Sequence, residues 1–334
     1  MIHSLTVGII TFNEENSIKR CLESLLQLKS SVPDLSIIVV DNNSSDKTIH
    51  EADQTLKSTG ITYQIVQRTE NNLAAARNDI FRHSRNRWVY MMDADCCLDI
   101  TTWDNLIQNW KNESQFAAWG GSQKFFNDYE ILVLLDEMRR TYWGHFGSAQ
   151  MLAETANSCV EHLSTTHVLY DKQRVESVGG FNEKLSRAAE DLDLSLRLRK
   201  AGYDLHFNPL SFVWHEQVQS WREWRQKAFR NGVWQTRLIA YNLDILKTRR
   251  PWPGIFLLLM LFLFPIIFVP LAGLYCLILS YTVMHSQLRG KARFQLWVLL
   301  ATTHFLYALG EVLGIFLALW DWVRDRKLPV STNT

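Results

Sequence analysis

Two acidic pairs carry the residue types and spacing that chemistry needs. Asp93-Ala94-Asp95 closes the apolar run Val89-Tyr90-Met91-Met92, so a strand ending there leaves two carboxylates on a turn. Together they can hold Mg²⁺ or Mn²⁺, which take oxygen ligands from one or two carboxylates and from substrate phosphates, and which neutralise charge on a departing diphosphate. The same triplet also serves as a plain turn or a helix cap, so its surroundings decide. Glu190-Asp191 opens a second segment, Glu190-Asp191-Leu192-Asp193-Leu194, followed by Arg197, Arg199, Lys200 and Gly202. Acids first, bases last and a closing glycine predict a helix with both acids in its first turn, where they also complement the helix dipole. The alternation of Leu192, Leu194, Leu196 and Leu198 fits a strand, but the charge order outweighs it.

The elements that must position these groups alternate in type. Ser4 to Ile10 reads as a strand, and Ile18, Cys21, Leu22, Leu25 and Leu28 give the following segment helical spacing. Ile37 to Val40 is an unbroken β-branched run, as in a strand covered on both faces, and Asp41-Asn42-Asn43-Ser44-Ser45-Asp46 ends it in turn chemistry. Thr62 to Gln67 and Trp88 to Met92 supply two more strands around a helix at Ala74 to Phe81. This βαβα rhythm predicts an α/β fold with a mostly parallel, Rossmann-like sheet, flanking helices and ligands beyond the carboxyl ends of the strands. Asn13, Asp41 and Asp93 each sit just past such an end.

Composition limits the alternatives. With 47% hydrophobic and 21% charged residues the 334-residue chain is neither disordered nor of low complexity. A formal charge of +1 supplies no global field for nucleic acid. The five cysteines lack zinc spacing and are too few for a disulfide scaffold, so reduced thiols are expected. No basic leader precedes the short apolar start, so no signal peptide is expected. Ile255 to Met284 contains no Asp, Glu, Lys or Arg, and Phe294 to Trp320 contains only Glu311, which predicts two C-terminal membrane elements, spanning or re-entrant. Pro265 and Pro270 favour a break in the first. Basic clusters flank them at Lys247, Arg249 and Arg250, at Arg289, Lys291 and Arg293, and at Arg324, Arg326 and Lys327.

In order along the chain, Thr11-Phe12-Asn13-Glu14-Glu15, Val40-Asp41-Asn42-Asn43-Ser44-Ser45-Asp46-Lys47-Thr48, Ala75-Ala76-Arg77-Asn78 and Asp93-Ala94-Asp95 resemble the nucleotide-sugar half of family 2 glycosyltransferases. Gly179-Gly180-Phe181-Asn182-Glu183, Glu190-Asp191-Leu192-Asp193-Leu194 and Arg197 to Tyr203 resemble that family's acceptor-side motif. The resemblance covers roughly residues 5 to 215 and implies a GT-A fold, with sugar transfer from a nucleotide diphosphate donor, Mn²⁺ or Mg²⁺ dependence and inversion at the anomeric carbon. It implies that Asp41 accepts hydrogen bonds from the donor base or ribose and that Thr11, Asn13 and Glu14 line the nucleotide pocket. Arg77 then pairs with the diphosphate or holds a carboxylate in place. Asp95 becomes the direct metal ligand, Asp93 a contact to ribose or to metal-bound water, with exchange of the two roles left open, and His215 a further metal ligand. Asp191 becomes the general base that takes the acceptor proton, its pKa raised by neighbouring acids. His162 and His167 have no positional support in the motif and read as structural or acceptor-side residues. One departure concerns Asn72, where many relatives carry glycine.

The expected organisation is a catalytic domain over 1–215, divided near 97 into nucleotide-sugar and acceptor halves. Amphipathic interfacial helices over 216–253, membrane helices over 254–322 and a polar tail over 323–334 follow. Trp221, Trp224 and Ala228 share a stripe flanked by basic residues, as on a helix at headgroup level or one packed on the catalytic domain with its tryptophans in the core. The acceptor expected is a polyprenyl-diphosphate-linked saccharide or another glycan presented at the cytoplasmic membrane, with the catalytic domain in the cytoplasm and other polysaccharide-assembly enzymes as possible partners. Alternatives are transfer to polyprenyl phosphate, processive polymer synthesis and a catalytically dead sugar-nucleotide-binding scaffold. Processive relatives carry Gln-x-x-Arg-Trp, whereas here Glu223 intrudes in Gln219-Ser220-Trp221-Arg222-Glu223-Trp224.

Overall fold

The computed structural model describes residues 2–107, 115–126, 130–141, 158–216, 220–243, 245–248 and 268–327. It divides into two compact units, Met1–Asp128 with Gly147–Gln217, and Tyr129–Phe146 with Val218–Thr334.

Among the described residues, the first unit is built on one nine-stranded sheet. Strands β1 (Ser4–Thr11), β2 (Asp34–Asp41), β3 (Thr62–Gln67) and β4 (Trp88–Asp93) are linked by helices α1 (Ile18–Leu25), α2 (Thr48–Lys57) and α3 (Leu73–His83). They lie parallel in the order β3-β2-β1-β4. Their side chains alternate between two cores: Val7, Ile9, Ile37, Val39, Tyr90 and Met92 face α1 and α2, while Ile10, Ile38, Val40, Val89 and Met91 face α3. Each such side chain contributes about 1.5–3 kcal/mol on full burial, which is why the apolar runs are unbroken.

Beyond β4 the pairing changes. Strand β8 (His167–Asp171) runs antiparallel to β4 and to β6 (Phe116–Phe125). Strand β9 (Asp204–His215) is parallel to β6 but antiparallel to β5 (Cys96–Leu98) and β7 (Ser158–Cys159). The sheet is therefore mixed, parallel from β3 to β4 and between β6 and β9, and antiparallel at its other pairings. The helical crossovers that enforce parallel pairing stop at β4, and Ala94-Asp95 joins β4 to β5 by a turn instead. The chain walks outward from β1 to β3 and then jumps back to β4, so the direction of strand order reverses between β1 and β4. A ligand crevice opens at such a switch point, beyond the carboxyl ends of the strands.

Helices α4 (Trp103–Ile107), α6 (Lys172–Ser177) and α7 (Glu190–Lys200) also belong to the first unit. The charge order correctly outweighed the leucine alternation at α7.

The second unit holds α5 (Glu130–Arg140), α8 (Trp221–Arg237), α9 (Ile245–Thr248), α10 (Phe268–Met284) and α11 (Lys291–Lys327). Only α11, over Lys291–Arg324, is long and apolar enough among the described residues to cross a membrane. Residues 249–267 lie outside the described part, and with them the first half of the expected Ile255–Met284 element, Trp252 and two members of the first basic cluster. Helix α8 packs along α11 through buried Trp224, Ala228, Val233 and Trp234. The backbones approach so closely that a Cβ at Gly232 would meet the Tyr307 carbonyl and one at Gly310 the Phe229 carbonyl. Trp224 and Ala228 of the tryptophan stripe are thus used in packing on α11, a partner that neither reading named. Glu311 is buried, as expected of an acid in an apolar helix.

Candidate active site

The ends of β1, β2 and β4 are brought level by register, Thr11 opposite Asp41 and Ile10 opposite Asp93. Asp41 is 2% exposed; its Oδ2 accepts from the Ser44 backbone N–H at 3.1 Å, while its buried Oδ1 meets no partner among the described residues. The Thr11 Oγ1 is equally orphaned. Buried acceptors left unmet cost about 1–3 kcal/mol each, more for a charged group, so this pair fits a crevice that a hydrogen-bonding ligand fills.

The loop after β1 is tied to the loop after β2. Asn13 adopts a left-handed conformation (φ 56°), which Asn tolerates through its short polar side chain. Its N–H donates to Ser44 Oγ at 2.8 Å and its Oδ1 accepts from the Ser45 N–H at 2.8 Å. The Glu14 N–H donates to Thr48 Oγ1 at 2.7 Å. Asn13 thus shapes the crevice wall, with its side-chain oxygen engaged by the neighbouring loop. Burial pushes the Glu14 carboxyl up to about 7 against a hydrogen bond from Ser17, helped by the charges of Asp95, Glu216 and Asp93.

At the β4–β5 turn the two aspartates face different partners. Asp95 Oδ2 lies 3.2 Å from His215 Nε2, on the last residue of β9, which pairs across the sheet with Cys96. His215 Nδ1 contacts Gln123 Oε1 at 2.8 Å. An amide oxygen only accepts, so Nδ1 donates to Gln123, which fixes the ring and aims Nε2 at Asp95. One oxygen and one imidazole nitrogen, oriented by a further hydrogen bond, suit a Mn²⁺-type ion whose other positions are taken by phosphate or water. Asp95, Cys96 and His215 offer ligand atoms within 4.8 Å of one another. That group does not include Asp93. Its Oδ2 accepts from Thr166 Oγ1 at 3.0 Å and its Oδ1 lies 3.7 Å from Arg77 Nη2.

Arg77 joins the two motifs. Its Nη1 pairs with Glu190 Oε1 in an interior where the two side chains are 6% and 4% exposed, while Nη2 approaches Asp93. Of the two expectations for Arg77, holding carboxylates is what the geometry displays. Replacing it by methionine leaves Glu190 buried without its counter-ion, so Arg77→Met is expected to lower unfolding stability by about 3–5 kcal/mol. Chemical denaturation measures this, and an unchanged midpoint and slope would contradict the pairing.

Helix α7 is entered through its cap residue Ala189, whose φ of 68° is a strained conformation for alanine and turns the chain sharply into the helix. Glu190 points to Arg77, and Asp191 Oδ2 lies 3.3 Å from His162 Nε2. Burial raises the Asp191 carboxyl, but the His162 contact and the Arg77 charge outweigh it and hold the group down at about 2. The expected rise from neighbouring acids is thus reversed by His162 and Arg77. The preceding loop is pinned from α3 and α7: Asn78 Oδ1 accepts from the Phe181 N–H at 2.8 Å, and Arg197 donates to the Val178 and Gly180 carbonyls. Gly180, at φ 69°, sits where a Cβ would press on Asn78 Oδ1.

Sequence reasoning missed Gln123 and Thr166, which carry no motif and are brought in by β6 and the approach to β8. It gave His162 no role at Asp191. His167 is structural, fully buried between Tyr90 Oη (2.7 Å) and Ser211 Oγ (2.8 Å), with burial driving its pKa down to about 3. Asn72 resolves the glycine departure: at φ −142° it needs no left-handed freedom, and its Oδ1 caps α3 by accepting from the Ala75 N–H.

Comparison with known proteins agrees with this architecture. Residues 6–173 match the Glycosyl transferase family 2 domain. The chain is 24% identical over 231 residues to a probable glycosyltransferase, YdaM, of Bacillus subtilis, covering 67% of this chain and 53% of that protein. It is 24% identical over 214 residues to poly-beta-1,6-N-acetyl-D-glucosamine synthase of Staphylococcus aureus, covering 64% and 50%. The chain spans about half the length of these curated relatives. Among solved structures, the mannosyltransferase PcManGT of Pyrobaculum calidifontis, in complex with GDP-Man and Mn²⁺, superposes with a TM-score of 0.63 at 17% identity, covering 98% of this chain and 89% of that one. TarS 1-349 of S. aureus, in complex with UDP-GlcNAc, gives 0.54 at 14% identity, covering 92% and 90%. With its α/β sheet of the GT-A type and a domain match across half its length, the chain belongs to glycosyl transferase family 2.

Proposed function

We propose that this protein transfers a sugar from a nucleotide diphosphate sugar, with inversion, to a lipid-linked saccharide presented at the cytoplasmic face of a membrane. The observation that carries the reading is the Arg77 bridge, which sets Glu190, next to the proposed base, and Asp93, next to the proposed metal ligand, within reach of one guanidinium. Donor recognition and proton removal therefore converge on one crevice. Asp41 and Thr11 offer the orphaned acceptors for the nucleoside, and Asp93 faces its ribose. Asp95 and His215 hold the Mn²⁺ or Mg²⁺, which when bound offsets the charge that develops on the diphosphate. Asp191 takes the proton of the acceptor hydroxyl as its oxygen attacks the anomeric carbon from the face opposite the leaving group. The bond from that carbon to the diphosphate oxygen breaks, and the nucleoside diphosphate departs with the electron pair.

Membrane presentation of the acceptor is supported by α11, long and apolar, and by the basic residues at its ends. The polysaccharide synthases among the relatives favour a second reading, repeated addition to a growing chain. Glu223 speaks against it: Ser220 Oγ accepts from the Glu223 N–H at 3.2 Å, so the segment matching the processive motif is used to start α8. Gln219 lies outside the described residues. The test is incubation of the purified protein with a panel of nucleotide sugars, Mn²⁺ and membrane extract, followed by mass analysis of the lipid fraction. One hexose-sized increment on a lipid is expected; a ladder of increments supports the second reading, and donor binding without any transfer overturns both.

A further inference from the structure

We propose that α11 lies along the membrane surface instead of crossing it, its apolar stripe sunk in the acyl chains of one leaflet and its opposite face covered by α8 and α5. The proposal rests on the membrane attachment argued above and fixes its geometry. With 37 residues α11 is about 55 Å long, against a hydrocarbon core of about 30 Å.

Helix α8 accompanies it through the middle and end of its apolar stretch. Trp224 Nε1 donates to Thr303 Oγ1 at 2.7 Å, Tyr307 Oη to Gln235 Oε1 at 2.5 Å, and Arg237 Nε and Tyr241 Oη to Asp321 at 2.5 and 2.8 Å. Gly232 and Gly310 meet backbone to backbone between these points. Helix α8 also carries Arg222, Arg225, Lys227, Arg230 and Arg237, and the first, second and fourth of these are exposed. A crossing α11 would draw these guanidinium groups through hydrocarbon, where exposed charge is strongly disfavoured. At the other end, the carboxylate of Glu137 on α5 accepts from the Gln287 N–H at 2.7 Å, and that of Glu130 from Gln295 Nε2 at 2.6 Å. Helices bearing charged side chains thus accompany both ends of α11.

The surface left open is apolar and continuous. Phe305, Leu309, Leu313, Phe316, Trp320 and Val323, spaced by four, four, three, four and three residues, form one helical stripe, with Phe316 60% and Trp320 67% exposed. Charge selects the occupant. Arg289, Lys291 and Arg293 precede the stripe and Arg324, Arg326 and Lys327 follow it. Crossing would send one cluster to the outer side, against the inward bias of basic residues, whereas in-plane placement brings both to the anionic headgroups of a single leaflet.

Sidedness tests this. In a Cys159→Ser/Cys276→Ser background, Arg289→Cys and a cysteine appended after Thr334 are each probed with a membrane-impermeant maleimide in sealed vesicles of both orientations. Both positions are expected to react from the cytoplasmic side and neither from the other. Reaction from opposite sides overturns the in-plane placement while leaving attachment intact; wild-type protein found wholly in the soluble fraction overturns both. Phe305→Glu/Phe316→Glu, its fold checked by circular dichroism, is expected to reduce membrane-bound protein at least tenfold after a salt wash, and undiminished retention overturns the role of the stripe.

Discussion

Asp191→Asn is expected to lower the rate of sugar transfer by about 10²–10⁴-fold, the contribution of a positioned general base, while leaving nucleotide-sugar affinity within about twofold. The amide keeps the shape of the carboxylate and the N-terminal position in α7, but it has no lone-pair site able to take the acceptor proton. Turnover measured under saturating donor, alongside donor titration by calorimetry, separates the two effects. A variant with unchanged turnover removes Asp191 from the chemistry. The pH profile supplies an independent check. His162 and Arg77 hold the Asp191 carboxyl below its usual range, so the base stays ionised through the neutral region. His162→Gln removes one source of that lowering, the Asp191 pKa rises, and the acid-side loss of activity begins at higher pH. A profile that does not move, or moves to lower pH, contradicts the His162 contact.

The N-terminal half of the sheet was legible because its physics is local. Unbroken β-branched runs such as Ile37 to Val40 announce strands buried on both faces, and the turn residues after them mark the carboxyl ends where Asp41 and Asp93 lie. Antiparallel pairing beyond β4 was not legible, since a strand such as His167–Asp171 carries no sign of its neighbour's direction. The same limit applies at the site. Asp95, Asp191 and His215 stand in motifs, but Gln123, which orients His215, and His162, which contacts Asp191, arrive from strands and loops distant in sequence. The pKa of Asp191 was misjudged for that reason: Glu190 is adjacent in the chain, while the His162 and Arg77 that lower it come from a loop and a helix distant in sequence. Asn72 makes the converse point, because a cap explains a departure that residue type alone left open.

Asp95→Asn is expected to remove about 10²–10³-fold of metal-stimulated transfer, the rate equivalent of several kcal/mol of charge stabilisation on the leaving diphosphate. The amide retains one oxygen but loses the negative charge that pairs with a divalent ion, so Mn²⁺ affinity measured by electron paramagnetic resonance in the presence of nucleoside diphosphate falls with it. Asp93→Asn separates the two aspartates. Asp93 is engaged by Thr166 and Arg77 and lies outside the Asp95–Cys96–His215 group, so its replacement is expected to weaken donor binding more than Mn²⁺ binding. Gln123→Leu touches neither ion nor substrate. By releasing the His215 ring from its hydrogen bond it is expected to weaken Mn²⁺ binding by about 10–100-fold, the usual cost of losing a partner that orients a ligand. If Asp95→Asn and Gln123→Leu both bound Mn²⁺ as wild type does, the ion would have to sit elsewhere, and the pairing of Asp95 with His215 would be a structural contact only.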